Sequence, residues 1–76
     1  MELEEALKDT GIAESWYDGY TAVVARSGAH CTLSIRHERH DPHYVREGLT
    51  VEQVKQEMHS IFPSHPMQWN AVELEG

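Results

Sequence analysis

The chain has 76 residues, of which 13 are acidic and 6 are Lys or Arg, so its formal net charge is −7. A chain of this length makes one domain, residues 1–76, and its negative charge disfavours non-specific binding to the phosphate backbone of nucleic acids. Because it has no apolar run of 18 residues and starts with an acidic segment, the sequence predicts neither a transmembrane helix nor a signal peptide, and we expect a cytoplasmic protein.

The N-terminal part of the chain predicts a short helix and a tight turn. Residues 2–9 place apolar side chains on one side and glutamates in the first turn, where the helix dipole favours anions. The dipeptide Asp18-Gly19 is typical of hairpin turns. The segment between them, residues 12–17, fits either a strand or a further helical turn.

Two strands follow this turn. Residues 20–26 are rich in residue types that favour β-structure. Residues 31–39 alternate, with Cys31, Leu33 and Ile35 on one side, which is typical of a half-buried strand. The short connection between the two segments predicts an antiparallel hairpin.

The C-terminal part predicts a loop, a well-marked helix and a last strand. Pro42 and Gly48 indicate a loop over residues 40–48. Thr50 and Gln53 have the spacing of a capping box, and apolar side chains then recur at helical spacing. The members of that apolar stripe are Val51, Val54, Met58 and Ile61 or Phe62.

Together these patterns predict an α+β domain in the order α-β-β-α-β, in which a small antiparallel sheet of about three strands packs against one main amphipathic helix. Residues 12–17 would add a fourth strand. The predicted elements are a helix over residues 2–9, strands over residues 20–26, 31–39 and 67–73, and a helix over residues 51–62.

Histidines near the end of the second strand raise the hypothesis of a metal site. His37, His40 and His43 are spaced three apart, and Cys31 precedes them on the same predicted strand face. Zinc requires three or four nitrogen, sulfur or oxygen ligands that converge on one point. Since the spacing matches no established zinc pattern, a histidine-based metal- or pH-responsive module is an alternative hypothesis, and we predict no cofactor.

Catalysis is not expected from this sequence. Cys31 is the only cysteine, and its position beside Leu33 and Ile35 predicts a buried, inert thiol. A chain this short also leaves little volume for a pocket of about 300 Å³ or more. We therefore expect a protein that is not an enzyme.

A group of arginines gives the centre of the chain a basic character. Arg36, Arg39 and Arg46, together with Tyr44, could bind nucleic acids through phosphates and stacked bases. A solvated sheet face whose arginines pair with the acidic termini explains the same residues, and the net charge favours that interpretation. Nucleic-acid binding is therefore the second alternative.

Protein binding is the function that the sequence favours. It contains no nucleotide-binding or catalytic motif, and the edges of a short sheet can pair with another chain, either a partner or a second copy. Acidic side chains suit a partner with a basic surface, and Trp16-Tyr17 is expected to be an exposed pair. The candidate partner-binding residues are Glu2, Glu4, Glu5, Asp9, Trp16, Tyr17, Asp18, Arg36, Arg39, Tyr44 and Arg46.

In size and charge the chain resembles the small acidic accessory proteins of phages and mobile elements, among which are inhibitors of host defence. The likeness covers no motif. It implies a regulator or inhibitor that acts by occupying the surface of a partner protein.

Overall fold

Residues 1–73 are described by the computed structural model, with the backbone alone described for residues 40–43, and they form one five-stranded antiparallel sheet and two helices. Across the sheet the strand order is β4-β3-β2-β1-β5. The predicted α+β class, with one main helix packed on a small antiparallel sheet, is confirmed. The elements are α1 (Leu3–Ala6), β1 (Ile12–Tyr17), β2 (Tyr20–Ser27), β3 (His30–His37), β4 (His40–Leu49), α2 (Val51–Ile61) and β5 (Asn70–Ala71).

The sheet begins with a hairpin of β1 and β2, so the segment that fitted either a strand or a helical turn is a strand. Its turn is Asp18-Gly19, as predicted, and both residues have positive φ, 50° and 81°, as a two-residue hairpin turn of the type I′ class requires. A Cβ on Gly19 would lie 2.8 Å from the Nε2 atom of His37. Both the backbone conformation and the neighbouring ring therefore favour glycine at this position.

The largest error of the sequence-based prediction is the loop over residues 40–48, which is instead the strand β4. Tyr44 and Val45 pair with Ile35 and Ser34 of β3. Because β4 is an edge strand, Pro42 can lie in it without removing a hydrogen bond from the sheet interior. Near Gly48, β4 has one residue more than the stretch of β3 that it faces, so the ladder contains a β-bulge there. Gly48 has a positive φ of 71°, as is typical of a bulge.

The terminal elements are shorter than predicted. The strand expected over residues 67–73 is reduced to β5, because the backbone N–H of Met67 donates to the ring of His65 and that of Trp69 donates to the carbonyl oxygen of Met1. The helix expected over residues 2–9 ends at Ala6, after which the chain turns and the Gly11 N–H donates to Leu7 O at 3.1 Å.

Helix α2 begins and packs as its sequence predicts. Thr50 is the N-cap, its Oγ1 accepting from the Gln53 N–H at 3.2 Å while Gln53 Oε1 accepts from the Thr50 N–H at 2.8 Å. Of the two alternatives for the last position of the apolar stripe, Phe62 is buried and Ile61 is exposed. Neither helix of the described chain is long and apolar enough to cross a membrane.

The two faces of the sheet have different surroundings. The face on which the helices pack, called here the covered face, includes the alternating buried residues Cys31, Leu33 and Ile35 of β3. Val54 and Met58 of α2 lie in the same core cluster. The opposite face, called here the open face, presents the alternate side chains of the same strands, and no helix of residues 1–73 lies across it.

Candidate protein-docking surface

The strand register arranges the side chains of the open face in three rows, beyond which Ser27 and His30 form one further pair. Pairing brings residues of neighbouring strands side by side, so each row runs across the strands. The rows are Asn70-Glu14-Val23-Ser34-Val45 in the middle, Trp16-Thr21-Arg36 on one side, and Ile12-Ala25-Thr32 on the other.

Two large apolar side chains of these rows are left in water. Trp16 is 61% exposed and Val45 is 46% exposed, while Ile12 and Val23 are half-buried by their neighbours. An exposed Trp on a flat surface is the residue type most enriched among interface hot spots. The neighbour Tyr17 points the other way and packs edge-on against Phe62, with ring centroids 5.8 Å apart, so the prediction that both aromatics are exposed was wrong for Tyr17.

The three rows of the open face are electrically balanced, whereas the chain as a whole is acidic. Its three rows contain one acidic side chain, the half-buried Glu14, and one basic side chain, the exposed Arg36. The net charge of the chain is −7. The surplus of negative charge therefore lies outside these three rows.

The predicted acidic contact residues lie around α1, away from the open face. Glu2, Glu4, Glu5 and Asp9 are all exposed there. Glu4 is paired with Lys55 of α2 at 2.6 Å, and the hydrogen bond from that ammonium lowers the pKa of Glu4. These acids therefore form a surface on the helical side of the molecule, separate from Trp16.

Tyr44 and Arg46, also predicted to contact a partner, connect the edge strand to α2. The Tyr44 hydroxyl donates to Glu57 Oε2 at 2.7 Å, and Arg46 Nη1 lies 3.6 Å from Glu57 Oε1. The hydrogen bond to Glu57 raises the pKa of the Tyr44 hydroxyl. Both residues therefore connect β4 to α2, and the side chain of Arg46 remains 52% exposed.

The arginines of the central segment do not share one surface. Arg36 lies on the open face, Arg39 is in the turn between β3 and β4, and Arg46 pairs with Leu33 across β3–β4 on the covered side. The basic stripe predicted from the sequence is thus divided among three places. Asp18, the remaining acidic candidate, lies in the β1–β2 turn.

A buried polar network connects β1 with the segment before β5, and nothing in the sequence pattern indicated it. Ser15 and His65 are 3% and 6% exposed. The Ser15 Oγ lies 2.8 Å from His65 Nε2 and donates to the Gln68 carbonyl oxygen at 2.7 Å. His65 Nδ1 accepts from the Met67 N–H at 2.8 Å. The network holds the chain between α2 and β5 against β1.

These hydrogen bonds fix the protonation state of His65. Because Nδ1 accepts from a backbone N–H, the proton of the neutral ring lies on Nε2, which donates to Ser15 Oγ. Burial lowers the pKa of His65, which favours the same neutral form. A serine nucleophile needs the opposite arrangement, in which the ring accepts the hydroxyl proton. The pair is therefore built for packing.

Of the four hypothetical metal ligands, the structure describes the side chains of Cys31 and His37. Cys31 and His37 lie at opposite ends of β3, six residues and about 20 Å apart, too far to bind one ion. Burial raises the pKa of the Cys31 thiol, as expected for an inert cysteine. The side chains of His40 and His43 lie outside the described residues. Among the side chains that are described, no group of three or more His, Cys, Asp or Glu could hold a metal ion.

A surface groove lies on the helical side, between α1, α2 and the segment that follows α2. Its volume is about 400 Å³, larger than expected for so short a chain. Leu3, Met67 and Trp69 contribute apolar walls, while Glu2 and Lys55 bring opposite charges to the lining. Lys55 is already paired with Glu4, so the groove presents no unpaired charge of that lysine to a ligand.

Comparison of the chain with protein-family models, with curated proteins and with solved structures gave no match. The function is therefore inferred from the surfaces described above.

Proposed function

We propose that this chain is a non-enzymatic, cytoplasmic protein-binding module that docks through the open face of its sheet. The role that suits such a module is that of a regulator or inhibitor, which acts by covering part of another protein chain. The observation on which the proposal rests is the indole of Trp16, 61% exposed on a face whose only charged side chains in the three rows are Glu14 and Arg36.

The energetics of Trp16 support docking. Burial of about 150 Å² of an aromatic side chain corresponds to a transfer free energy of about 4 kcal/mol, which offsets part of the entropy lost on association. Val45, which lies at the β4 end of the middle row and is 46% exposed, would be covered by the same contact. The balanced charges of Glu14 and Arg36 mean that a partner need not be strongly acidic or basic to meet this face.

The chemistry of the buried groups supports a role without catalysis. The Ser15 hydroxyl proton is directed to a backbone carbonyl, and Cys31 is a buried thiol whose pKa is raised. Neither group is activated as a nucleophile. The helical side with its acidic residues remains a further contact surface for a partner with basic groups.

Photo-crosslinking at matched positions tests the proposal. We expect p-benzoylphenylalanine in place of Thr21, between Trp16 and Arg36, to form protein adducts in cells. The same probe in place of the exposed Glu5 of α1 should form none of these adducts. Trp16→Ala should abolish the adducts, because it removes the main apolar contact.

The control is Ile61→Ala, which removes a 40% exposed side chain outside the open face and should leave the adducts unchanged. Adducts that form equally from both probe positions, or that persist in Trp16→Ala, would contradict the proposal. A failure of the Thr21 probe to capture any protein would contradict it as well.

A pH-responsive role is the second candidate, and the buried His65 favours it. Its neutral ring makes two hydrogen bonds that depend on which nitrogen carries the proton. Protonation of His65 at low pH therefore disrupts a defined internal contact. This effect is additional to the general change in charge of the six histidines.

A further inference from the structure

We propose that the open face binds a second copy of this chain, about a two-fold axis that runs along β2 between two stacked sheets. The inference rests on the proposed function, since it names the partner of the same face. The resulting dimer has four layers, with the two sheets inside and the helices outside.

The register of the open face is complementary to itself about this axis. Rotation about β2 places β1 of one copy over β3 of the other, at the same level along the strands. Trp16 and Arg36 lie in one row, on either side of Thr21. Each indole therefore meets the guanidinium of the other copy, and a guanidinium stacked on an indole is the most favourable cation–π pair. The symmetry produces this contact twice.

The middle row agrees with the same axis. Glu14 and Ser34 are equidistant from β2, so the carboxylate of one copy faces a hydroxyl of the other. Val23 lies on the axis and meets its own copy. A two-fold axis perpendicular to the strands, parallel to the middle row, would instead place Glu14 of one copy opposite Glu14 of the other. Like charges directly opposed are unfavourable. The charges thus select the axis along β2.

The size of the face suits a small interface. Four strands of 6 to 10 residues, about 4.8 Å apart, with the two-residue β5 beside them give a patch of about 20 by 20 Å, or about 400 Å² per copy in plan. Because projecting side chains make the accessible surface larger than its flat projection, the two copies together bury about 1,000 Å² of accessible surface. This area is near the lower limit for a specific interface. We therefore expect a dimer that dissociates on dilution.

The distribution of charge favours this face over the others for self-association. Its rows balance Glu14 against Arg36, while the chain carries −7 overall. In the stacked dimer the acidic residues around α1 lie on the two outer surfaces, separated by two sheets and more than one Debye length of about 8 Å. Repulsion between the copies is therefore weak at physiological salt.

Sedimentation equilibrium over a range of concentrations gives the first measurement. We expect the mass to rise from the 8.7 kDa of one chain at micromolar concentration towards twice that value at several hundred micromolar. Trp16→Arg places like charges opposite each other twice and should weaken the dimer by at least about tenfold. A chain that stays monomeric at one millimolar would overturn the inference.

Exchange of the two contact residues tests the axis itself. The double variant Trp16→Arg with Arg36→Trp restores both pairs with their positions reversed, so dimerisation should recover to within about threefold of the original. Arg39→Ala, an exposed arginine in a turn, is the matched control and should leave the dimer unchanged. Circular dichroism verifies that every variant is folded. Folded variants in which the double exchange fails to restore the dimer would overturn the inference.

The crosslinking experiment separates this inference from the proposed function. Adducts of the Thr21 probe at twice the chain mass support both. Trp16-dependent adducts with a different protein would overturn the second copy as the occupant and leave the proposed function standing. If the Thr21 probe forms no adduct in cells, and none in purified protein at the concentrations where the dimer is expected, both fail.

Discussion

The free energy of unfolding should fall as the pH is lowered from 7 to 5, and His65 should account for the fall. Its ring is 6% exposed, and burial lowers its pKa below the ordinary value of 6.5. Below pH 6.5 the unfolded chain therefore binds a proton that the folded chain excludes, so stability is fully present above that pH and declines below it. The decline is at most about 1.4 kcal/mol per pH unit for one such group.

The geometry explains why the folded protein resists this proton. A proton on Nδ1 would face the Met67 N–H, which donates to that nitrogen at 2.8 Å. Among the described residues, the other groups that the structure places against the ring are the Ser15 hydroxyl and the aromatic rings of Tyr17, Phe62 and Trp69, and none of them is a carboxylate that would stabilise an imidazolium. The pKa of Glu4 is lowered from 4.5, so its effect on stability is lost at a lower pH than this range.

Urea unfolding at several pH values measures the effect. His65→Gln keeps a donor for Ser15 and removes the titrating ring, so it should lose the part of the decline between pH 7 and 5 that His65 causes, although its stability at pH 7 is lower by about 1–3 kcal/mol. His59→Gln, an exposed position on α2, should retain the full decline. If His65→Gln does not fold, an NMR titration of the original protein still decides: a His65 pKa of 6.5 or above would contradict the account.

Two adjacent valines of β2 should differ strongly in their contribution to stability. Val24 is 0% exposed on the covered face, and Val24→Ala should cost about 2–3 kcal/mol, from lost burial and the cavity that remains. Val23 is half-buried on the open face, and Val23→Ala should cost less than about 1 kcal/mol in dilute protein. A domain of this size has about 4–11 kcal/mol of stability in total, so the first loss is severe.

The pair is a matched control, because both substitutions remove the same two methyl groups from the same strand. Their difference therefore reports the surroundings of the two faces and little else. Chemical denaturation at low micromolar concentration, where the chain should be monomeric, provides the comparison. Equal losses at the two positions would mean that the second face of the sheet is also covered.

Local signals in the sequence predicted much of this fold. Thr50 and Gln53 mark the start of α2 because a capping box depends on residues three apart. Asp18-Gly19 marks the turn between β1 and β2 because few other residue pairs adopt positive φ at both positions. The alternation in β3 correctly separated its covered side from its open side.

The missed features depend on tertiary context. Pro42 and Gly48 indicated a loop, but an edge strand tolerates a proline and a bulge accommodates a glycine, so β4 forms through its pairing with β3. Ser15 and His65 are 50 residues apart in sequence, and no local pattern connects them. Their contact depends on the path of the chain from α2 back to β1.

The candidate surface was predictable in part. Exposure of Trp16 follows from alternation in a strand, because adjacent residues point to opposite faces. Its neighbour Arg36 could not be placed beside it from the sequence, since their shared row depends on the register of three strands. The acidic residues of α1 were grouped with Trp16 by charge and composition, and the fold separates them.

The two tryptophans of the chain lie on opposite faces of the sheet, so fluorescence can examine each face separately. Trp69→Phe leaves only Trp16, which is 61% exposed, and Trp16→Phe leaves only Trp69, which is 2% exposed. In dilute protein we predict red-shifted emission that acrylamide quenches strongly for Trp16, and blue-shifted, weakly quenched emission for Trp69. Strong protection of Trp16 in the dilute monomer, or free access of acrylamide to Trp69, would contradict the division into a covered face and an open one.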